Sequence, residues 1–358
     1  MTPIEPRADL KELAGYHSPQ LDVPVRLNTN ESPYPPPPEF VAAWTKALTE
    51  APLHRYPDRA AGELRTAIGA RLGQPAERVF PANGSNEVLQ TLLLTYGGPG
   101  RRALVFEPTY ALHSHIARIT GTEVVAASRR DDFLIDADHA VRVIGREQPD
   151  IVFVCSPNNP SGTVEATETI DAVVAAAPGL VIVDEAYGEF APSSAIDLVA
   201  DDRALVVTRT YSKVWSLAAL RLGFAIAPPW VVEELDKVVL PYHLDVATQC
   251  AGLIALEHVD AMERRVRVLI EERERLFVAL GELPGIEVFP SGANFLLFRA
   301  AGQGHRLWEA MVRDGVLVRD FSSWPGVEDC LRVTVGTPEE NDAFLTSLGG
   351  ALRESGAR

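Results

Sequence analysis

Short apolar runs recur between about residue 80 and residue 228, and helical patterns separate them. RALVF (102–106), EVVAA (123–127), IVFVC (151–155), LVIVD (180–184), ALVVT (204–208) and LGFAIA (222–227) read as strands. NEVLQTLLLTY (86–96) and TETIDAVVAAA (167–177) carry helical periodicity. Several strand runs lack polar alternation, as strands covered on both faces do. This alternation predicts α/β architecture, a mostly parallel sheet between helices. Beyond about residue 245 the pattern changes. A long charged helix (259–283) is followed by strand-like ANFLLF, the helix HRLWEAMVRDG, the strands VLVRD and LRVTV, and a last helix, EENDAFLTSLGGAL. The expected organisation is an extended N-terminal arm (1–33), a large domain (34–244) and a smaller α+β C-terminal domain (245–358). Pro35 to Pro38 form a stiff entry into the first helix.

Composition narrows the field. Hydrophobic content of 46% suits a sizeable core, and 33 basic against 49 acidic residues give a net charge of −16. That charge disfavours nucleic acid, which needs a basic face. No apolar run approaches the ~20 residues that span a bilayer, and the N-terminus lacks the apolar stretch of a signal peptide. Cys155, Cys250 and Cys330 are scattered and form no CxxC, so a reducing cytoplasm is the expectation. His113 and His115 lie two apart in a helical pattern and do not share a face, so no metal site is expected there.

Polar residues cluster where apolar strands end. Ser156-Pro157-Asn158-Asn159-Pro160 follows IVFVC, Asp184 and Tyr187 follow LVIV, and Ser212-Lys213 follows ALVVTRTY, with Arg221 eight residues on. In an open α/β sheet ligands collect at such ends. An amine, a carboxylate, a phenol, an amide and a hydroxyl–guanidinium pair together suit a pyridoxal-phosphate site. Lys213 lies between apolar segments, and burial in a cationic site lowers an amine's pKa and frees the nucleophile. Asp184, a carboxylate beside buried surface, needs a partner. Asn83-Gly84-Ser85-Asn86 opens a helix whose amides can face an anion, with Ser85 as a plain N-cap the simpler alternative.

The motifs that carry this pattern resemble those of one family. LNTNESPY (27–34), RYPD (55–58), NGSNE (83–87), FEPTY (106–110), SPNNPSGT (156–163), VDEAYGEF (183–190), RTYSK (209–213), LRLGF (220–224) and LRVTVGTPEEN (331–341) occur in the order of the fold-type-I pyridoxal-phosphate aminotransferases. The chain is most similar to their histidinol-phosphate group. The resemblance implies Lys213 as the Schiff-base lysine and proton shuttle. It implies Asp184 on the pyridine nitrogen, Tyr187 and Asn158 on the ring's phenolic oxygen, and Tyr110 stacked on the ring. Ser85, Asn86, Ser212 and Arg221 would hold the phosphate. Asn30, Arg319 and Arg332 would bind substrate. Tyr56 would reach the partner's cofactor in a homodimer with shared active sites, although a turn-packing role beside Pro57 is open. Arg319 has a surface ion pair with Asp320 as its alternative.

The implied reaction is transamination between glutamate and imidazole acetol phosphate, forming histidinol phosphate. An aromatic amino-acid aminotransferase is the alternative, and a decarboxylase of a phosphorylated amino acid a more distant one. A nicotinamide dehydrogenase would show GxGxxG after the first strand, and none occurs. A pyridoxal-phosphate-sensing regulator would need a DNA-binding domain ahead of the fold, which an arm of about 30 residues does not provide. PYHLDVATQ (241–249) departs from the family's pattern and leaves His243 without a role.

Overall fold

The computed structural model describes residues 4–11, 13, 15 and 19–356. In chain order the first half gives β1 (Val25–Leu27), α1 (Pro38–Glu50), α2 (Gly62–Leu72), β2 (Val79–Ala82), α3 (Gly84–Tyr96), β3 (Arg102–Glu107), α4 (Ala111–Ile119), β4 (Glu123–Ser128), α5 (Ala137–Glu147), β5 (Ile151–Cys155) and α6 (Thr167–Ala176). Then come β6 (Leu180–Asp184), β7 (Leu205–Thr210), β8 (Gly223–Ile226), α7 (Pro229–Val238), α8 (Val246–Leu256) and α9 (Val259–Gly281). The chain closes with β9 (Glu287–Val288), β10 (Phe295–Arg299), α10 (Gly304–Arg313), β11 (Val316–Asp320), β12 (Cys330–Thr334) and α11 (Pro338–Gly356).

Among the described residues, seven strands form the large sheet in the order β2-β8-β7-β6-β5-β3-β4. β4, β3, β5, β6 and β7 run parallel, and β8 is antiparallel to both β7 and β2. Every position of β5, β6 and β7 is buried. Alternate residues feed opposite layers: Ile151 and Phe153 pack into one core, Val152 and Val154 into the other. Helices on both faces make this possible, and it is why these runs carry no polar alternation. β2 escaped the sequence reading, because Pro81 interrupts a run of only four residues.

The second sheet runs β1-β11-β12-β10-β9. The N-terminal arm contributes β1 to it, with Val25 opposite Val316 and Leu27 opposite Val318. The arm is therefore part of the C-terminal sheet rather than a free extension. On α9, Met262, Leu269, Arg273, Leu276 and Leu280 form one buried stripe, which leaves the charged face to solvent. α8, just past the expected boundary at 245, packs on α1 and α2. No helix among the described residues is long and apolar enough to cross a membrane.

Candidate active site

Parallel pairing brings the strand ends level. Cys155 lies opposite Asp184, and Asp184 opposite Thr208. Just past these ends is a cavity of about 210 Å³, lined by Asn30, Ser85, Asn86, Tyr110, Asp184, Tyr187, Ser212, Lys213, Arg221, Arg319 and Arg332. Residues far apart in the sequence thus meet in one place.

Lys213 Nζ donates to Thr29 O at 3.0 Å and lies 5.7 Å from the centre of the Tyr187 ring. Burial brings its pKa down to about 8, helped by Arg332 and Arg221 and opposed by Glu31. Tyr187 OH accepts from Asn30 Nδ2 at 2.9 Å, and burial pushes the phenol up to about 12.

Asp184, 2% exposed, is held by three donors. Its Oδ1 accepts from Ala186 N and Thr208 Oγ1, each at 3.1 Å, and its Oδ2 lies 2.9 Å from His113 Nε2. His113 was considered from sequence only as half of a metal pair. It is fully buried, stacked on Phe153 with ring centres 4.6 Å apart. The signal was available: a histidine three residues beyond Tyr110, on the first turn of a helix that follows a strand end. His113, Cys155 and Asp184 place donor atoms within 4.8 Å of one another. Burial, with Asp184 second, pushes the Cys155 thiol up to about 12, so the trio presents no thiolate.

The assignment of Asn158 needs correction. Its Oδ1 accepts from Thr109 Oγ1 at 2.9 Å, and its Nδ2 donates to Pro108 O and Ser161 Oγ. Those bonds consume the side chain in bracing the loop. Its neighbour Asn159 lines the cavity instead and accepts from Arg332 Nη1.

At the other end, Arg221 Nη1 donates to Ser212 Oγ at 3.2 Å. Gly84 has φ +77°, and a Cβ there would lie 2.7 Å from Arg221 Nη2. A Cβ on Gly223 would lie 2.2 Å from Ser85 N. The two glycines let the guanidinium, the hydroxyl and the start of α3 converge on one anion-sized space. Asn83 is the N-cap residue, and Ser85 sits inside α3, so the plain N-cap alternative for Ser85 is set aside. Tyr110 OH lies 3.5 Å from Asn86 Oδ1 at the cavity wall.

Arg319 and Arg332 are direct register partners across β11 and β12. Both are buried and both line the cavity, so they share one face of the sheet. Arg332 lies over Phe295 and Phe321, and Arg319 over Phe321 and Trp324. Asp320 pairs with His305 at 2.7 Å. Asn30 has φ +57°, and its Oδ1 accepts from Thr334 Oγ1 at 2.9 Å. His243 stacks on Phe80 and reaches Pro81 O at 3.0 Å, bracing β2 from outside the cavity. Tyr56 is absent from the cavity wall: it is 79% exposed and stacked on Tyr242, with ring centres 4.4 Å apart.

The sheet order, the lysine beyond β7 and the anion cradle at α3 define an aminotransferase architecture. The profile of the family described as aminotransferase class I and II matches residues 23–348, and the chain belongs to that family. The histidinol-phosphate aminotransferase of Thermobifida fusca is 46% identical over 356 residues, covering 96% of each chain. That of Mycobacterium avium is 47% identical over 351 residues, covering 95% of this chain and 86% of the relative. Histidinol-phosphate aminotransferase from Sinorhizobium meliloti, solved in complex with pyridoxal-5'-phosphate, superposes with a TM-score of 0.85. It is 23% identical and covers 93% of this chain and 92% of its own, a likeness of fold.

Proposed function

We propose that this enzyme uses pyridoxal 5'-phosphate to move an amino group between glutamate and imidazole acetol phosphate, forming histidinol phosphate. The carrying observation is the pair Arg319 and Arg332, two buried cations placed side by side where the cavity meets the C-terminal sheet. Two adjacent guanidiniums suit a phosphoester better than a lone carboxylate. The two full-length relatives bearing that name support the choice.

The residues present fit the cofactor. Glycines clear the space between Arg221 and the start of α3 for a phosphate. Asp184 and Tyr187 line the same cavity at positions suited to a ring nitrogen and a phenolic oxygen. Bound there, the cofactor supplies an electron sink for the substrate's α-carbon. Lys213, with its pKa lowered to about 8, has an accessible neutral form that can take a proton from that carbon and return it. Asp184, fixed by its three donors, would hold a proton at the ring nitrogen. Ser212, Arg221 and the first amides of α3 would anchor the phosphate, with Lys213 Nζ in the same cavity. Asn30 ties the arm to Tyr187 and Thr334 and shields the site from water.

A homodimer with shared active sites belongs to the same proposal. Leu53, Tyr56, Leu240 and Tyr242 are exposed apolar residues on one chain, at 71%, 79%, 76% and 41%. Covering them would bring Tyr56 toward a neighbouring site. The three free cysteines fit a cytoplasmic enzyme.

A half-reaction panel tests the substrate. Cofactor-loaded enzyme is mixed in turn with histidinol phosphate, glutamate, phenylalanine and tyrosine, and the cofactor absorbance is followed. Histidinol phosphate and glutamate should react fastest. A clear preference for phenylalanine or tyrosine would instead establish the aromatic aminotransferase.

A further inference from the structure

A relay of hydrogen bonds joins the N-terminal arm to the turn that carries Lys213 and to α9. Arg265 Nη1, on α9, donates to Ser216 Oγ at 3.1 Å. Ser216 Oγ donates to Ser32 Oγ at 3.0 Å, and Ser32 Oγ donates to Tyr34 O at 3.2 Å. A guanidinium only donates and a carbonyl only accepts, so the two ends fix the direction of both hydroxyls. The same guanidinium lies 5.8 Å from the centre of the Tyr34 ring, which gives Arg265 a second hold on the arm. None of these four residues lines the cavity.

Both sides of the relay border the site. Ser216 is three residues past Lys213, and Val214 and Trp215 between them are buried. Ser216 has φ +55°, a left-handed backbone that serine seldom adopts unless its surroundings hold it there. On the arm, three residues just before Ser32 reach cavity groups. Asn28 O accepts from Arg332 Nη2 at 2.9 Å, Thr29 O accepts from Lys213 Nζ at 3.0 Å, and Asn30 Nδ2 donates to Tyr187 OH at 2.9 Å. Ahead of them the arm is held by the pairing of β1 with β11. Behind them it is held by Ser32 and Tyr34, through Ser216 and Arg265.

We propose that Ser216 and Arg265 are positioning residues, which latch the arm over the cavity and tie it to the lysine turn, so that Asn28, Thr29 and Asn30 keep their places. Each acts through the arm and neither touches the cavity. With the latch broken the arm lifts for part of the time, and apparent substrate affinity falls in proportion to the closed fraction. The effect on substrate rests on the reading of this cavity as the transamination site; the effect on the arm does not.

Hydrogen exchange of the cofactor-loaded enzyme, without substrate, reads the arm directly. The peptide covering 28–34 contains Asn30 N, which donates to Thr334 Oγ1 at 3.0 Å. Ser216→Ala removes the hydroxyl and keeps the Cβ, and Arg265→Met removes the donor and keeps a long stem. Each should speed exchange in 28–34 about fivefold or more, while β6 exchanges as in the wild type. Adding Ser216→Ala to Ser32→Ala should loosen the arm no further than Ser32→Ala alone, because the bond between them is already gone. In steady-state assays with the best substrate of the half-reaction panel, the loss in kcat/KM should fall mainly on KM. The proposal is overturned if 28–34 exchanges at the wild-type rate in Ser216→Ala and Arg265→Met, if β6 speeds as much as the arm, if the two serine losses add, or if KM does not rise. Absence of turnover with every substrate of the panel would refute the transaminase reading instead, and arm exchange alone would then decide the latch.

Discussion

His113 Nε2 lies 2.9 Å from Asp184 Oδ2, with both side chains sealed from solvent. An N–H on Nε2 donates to that carboxyl group, and His113 Nδ1 is buried with no partner among the described residues. The geometry therefore makes Nε2 the ring nitrogen that donates to the acid proposed to face the cofactor nitrogen. His113→Phe keeps the stack on Phe153 but removes the donor. A hydrogen bond to a charged group is worth about 1.5–3 kcal/mol, so the half-reaction should slow about ten- to hundredfold. The cofactor's absorbance should shift as well, which a purely structural role would not produce. An unchanged rate and spectrum would discard the assignment.

Lys213 links pH to the stability of the cofactor-free protein. Its folded pKa is about 8, against an ordinary 10.5, mainly because it is buried. Below about 8 both states hold the proton, and the fold bears the full cost of the buried ammonium. Between about 8 and 10.5 the unfolded chain binds more protons, so stability rises with pH. Lys213→Met should end turnover and stabilise the apoprotein at about pH 7, with the gain shrinking toward about pH 10. Urea melts at the two pH values measure this. A difference independent of pH would contradict the lowered pKa.

Gly84 clears the space occupied by Arg221. In Gly84→Ala the new Cβ would meet Nη2 at 2.7 Å, at a φ of +77° that alanine tolerates poorly. Displacing the guanidinium should weaken cofactor binding about tenfold or more. Equilibrium titration of apoenzyme with pyridoxal phosphate reads the loss, and unchanged affinity would place the phosphate elsewhere.

Arg319 and Arg332 separate the two substrate readings. Arg319→Ala should cost histidinol phosphate and glutamate about ten- to hundredfold in kcat/KM, and phenylalanine much less. Arg332→Ala, which also loses its bonds to Asn159 and Asn28 O, should damage all three. Equal losses in Arg319→Ala, with phenylalanine the best wild-type substrate, would falsify the phosphoester assignment.

Tyr56, exposed on one chain, tests the dimer. Mixing inactive Lys213→Ala with Tyr56→Ala subunits should regenerate one intact site per hybrid, and activity should rise. Proven subunit exchange without recovery would show that Tyr56 serves its own chain.

Much of this site was legible because strand ends are legible. Asp184 and Lys213 close long apolar runs, and a charge in that position reads as functional before any coordinates exist. Asn158 and Asn159 were not separable, since both follow the same strand and only the path of the turn decides which amide points inward. His113 was hidden by its role: it touches the cavity through Asp184, and no spacing rule reports a contact across 71 residues. β1 was hidden for a related reason. Three residues carry no periodicity, and their partner lies almost 300 positions later.

That late pairing also sets an order of assembly. Asn30 is held by Thr334, and Asn28 O by Arg332, across a separation of 304 residues. A ribosome making this chain releases the arm 304 residues before its anchors. The large sheet can form while synthesis continues, but the wall that carries Asn30 cannot be set until β12 has emerged. A chain ending short of β12 would hold Lys213 and the space beside α3 but not the wall that carries Asn30.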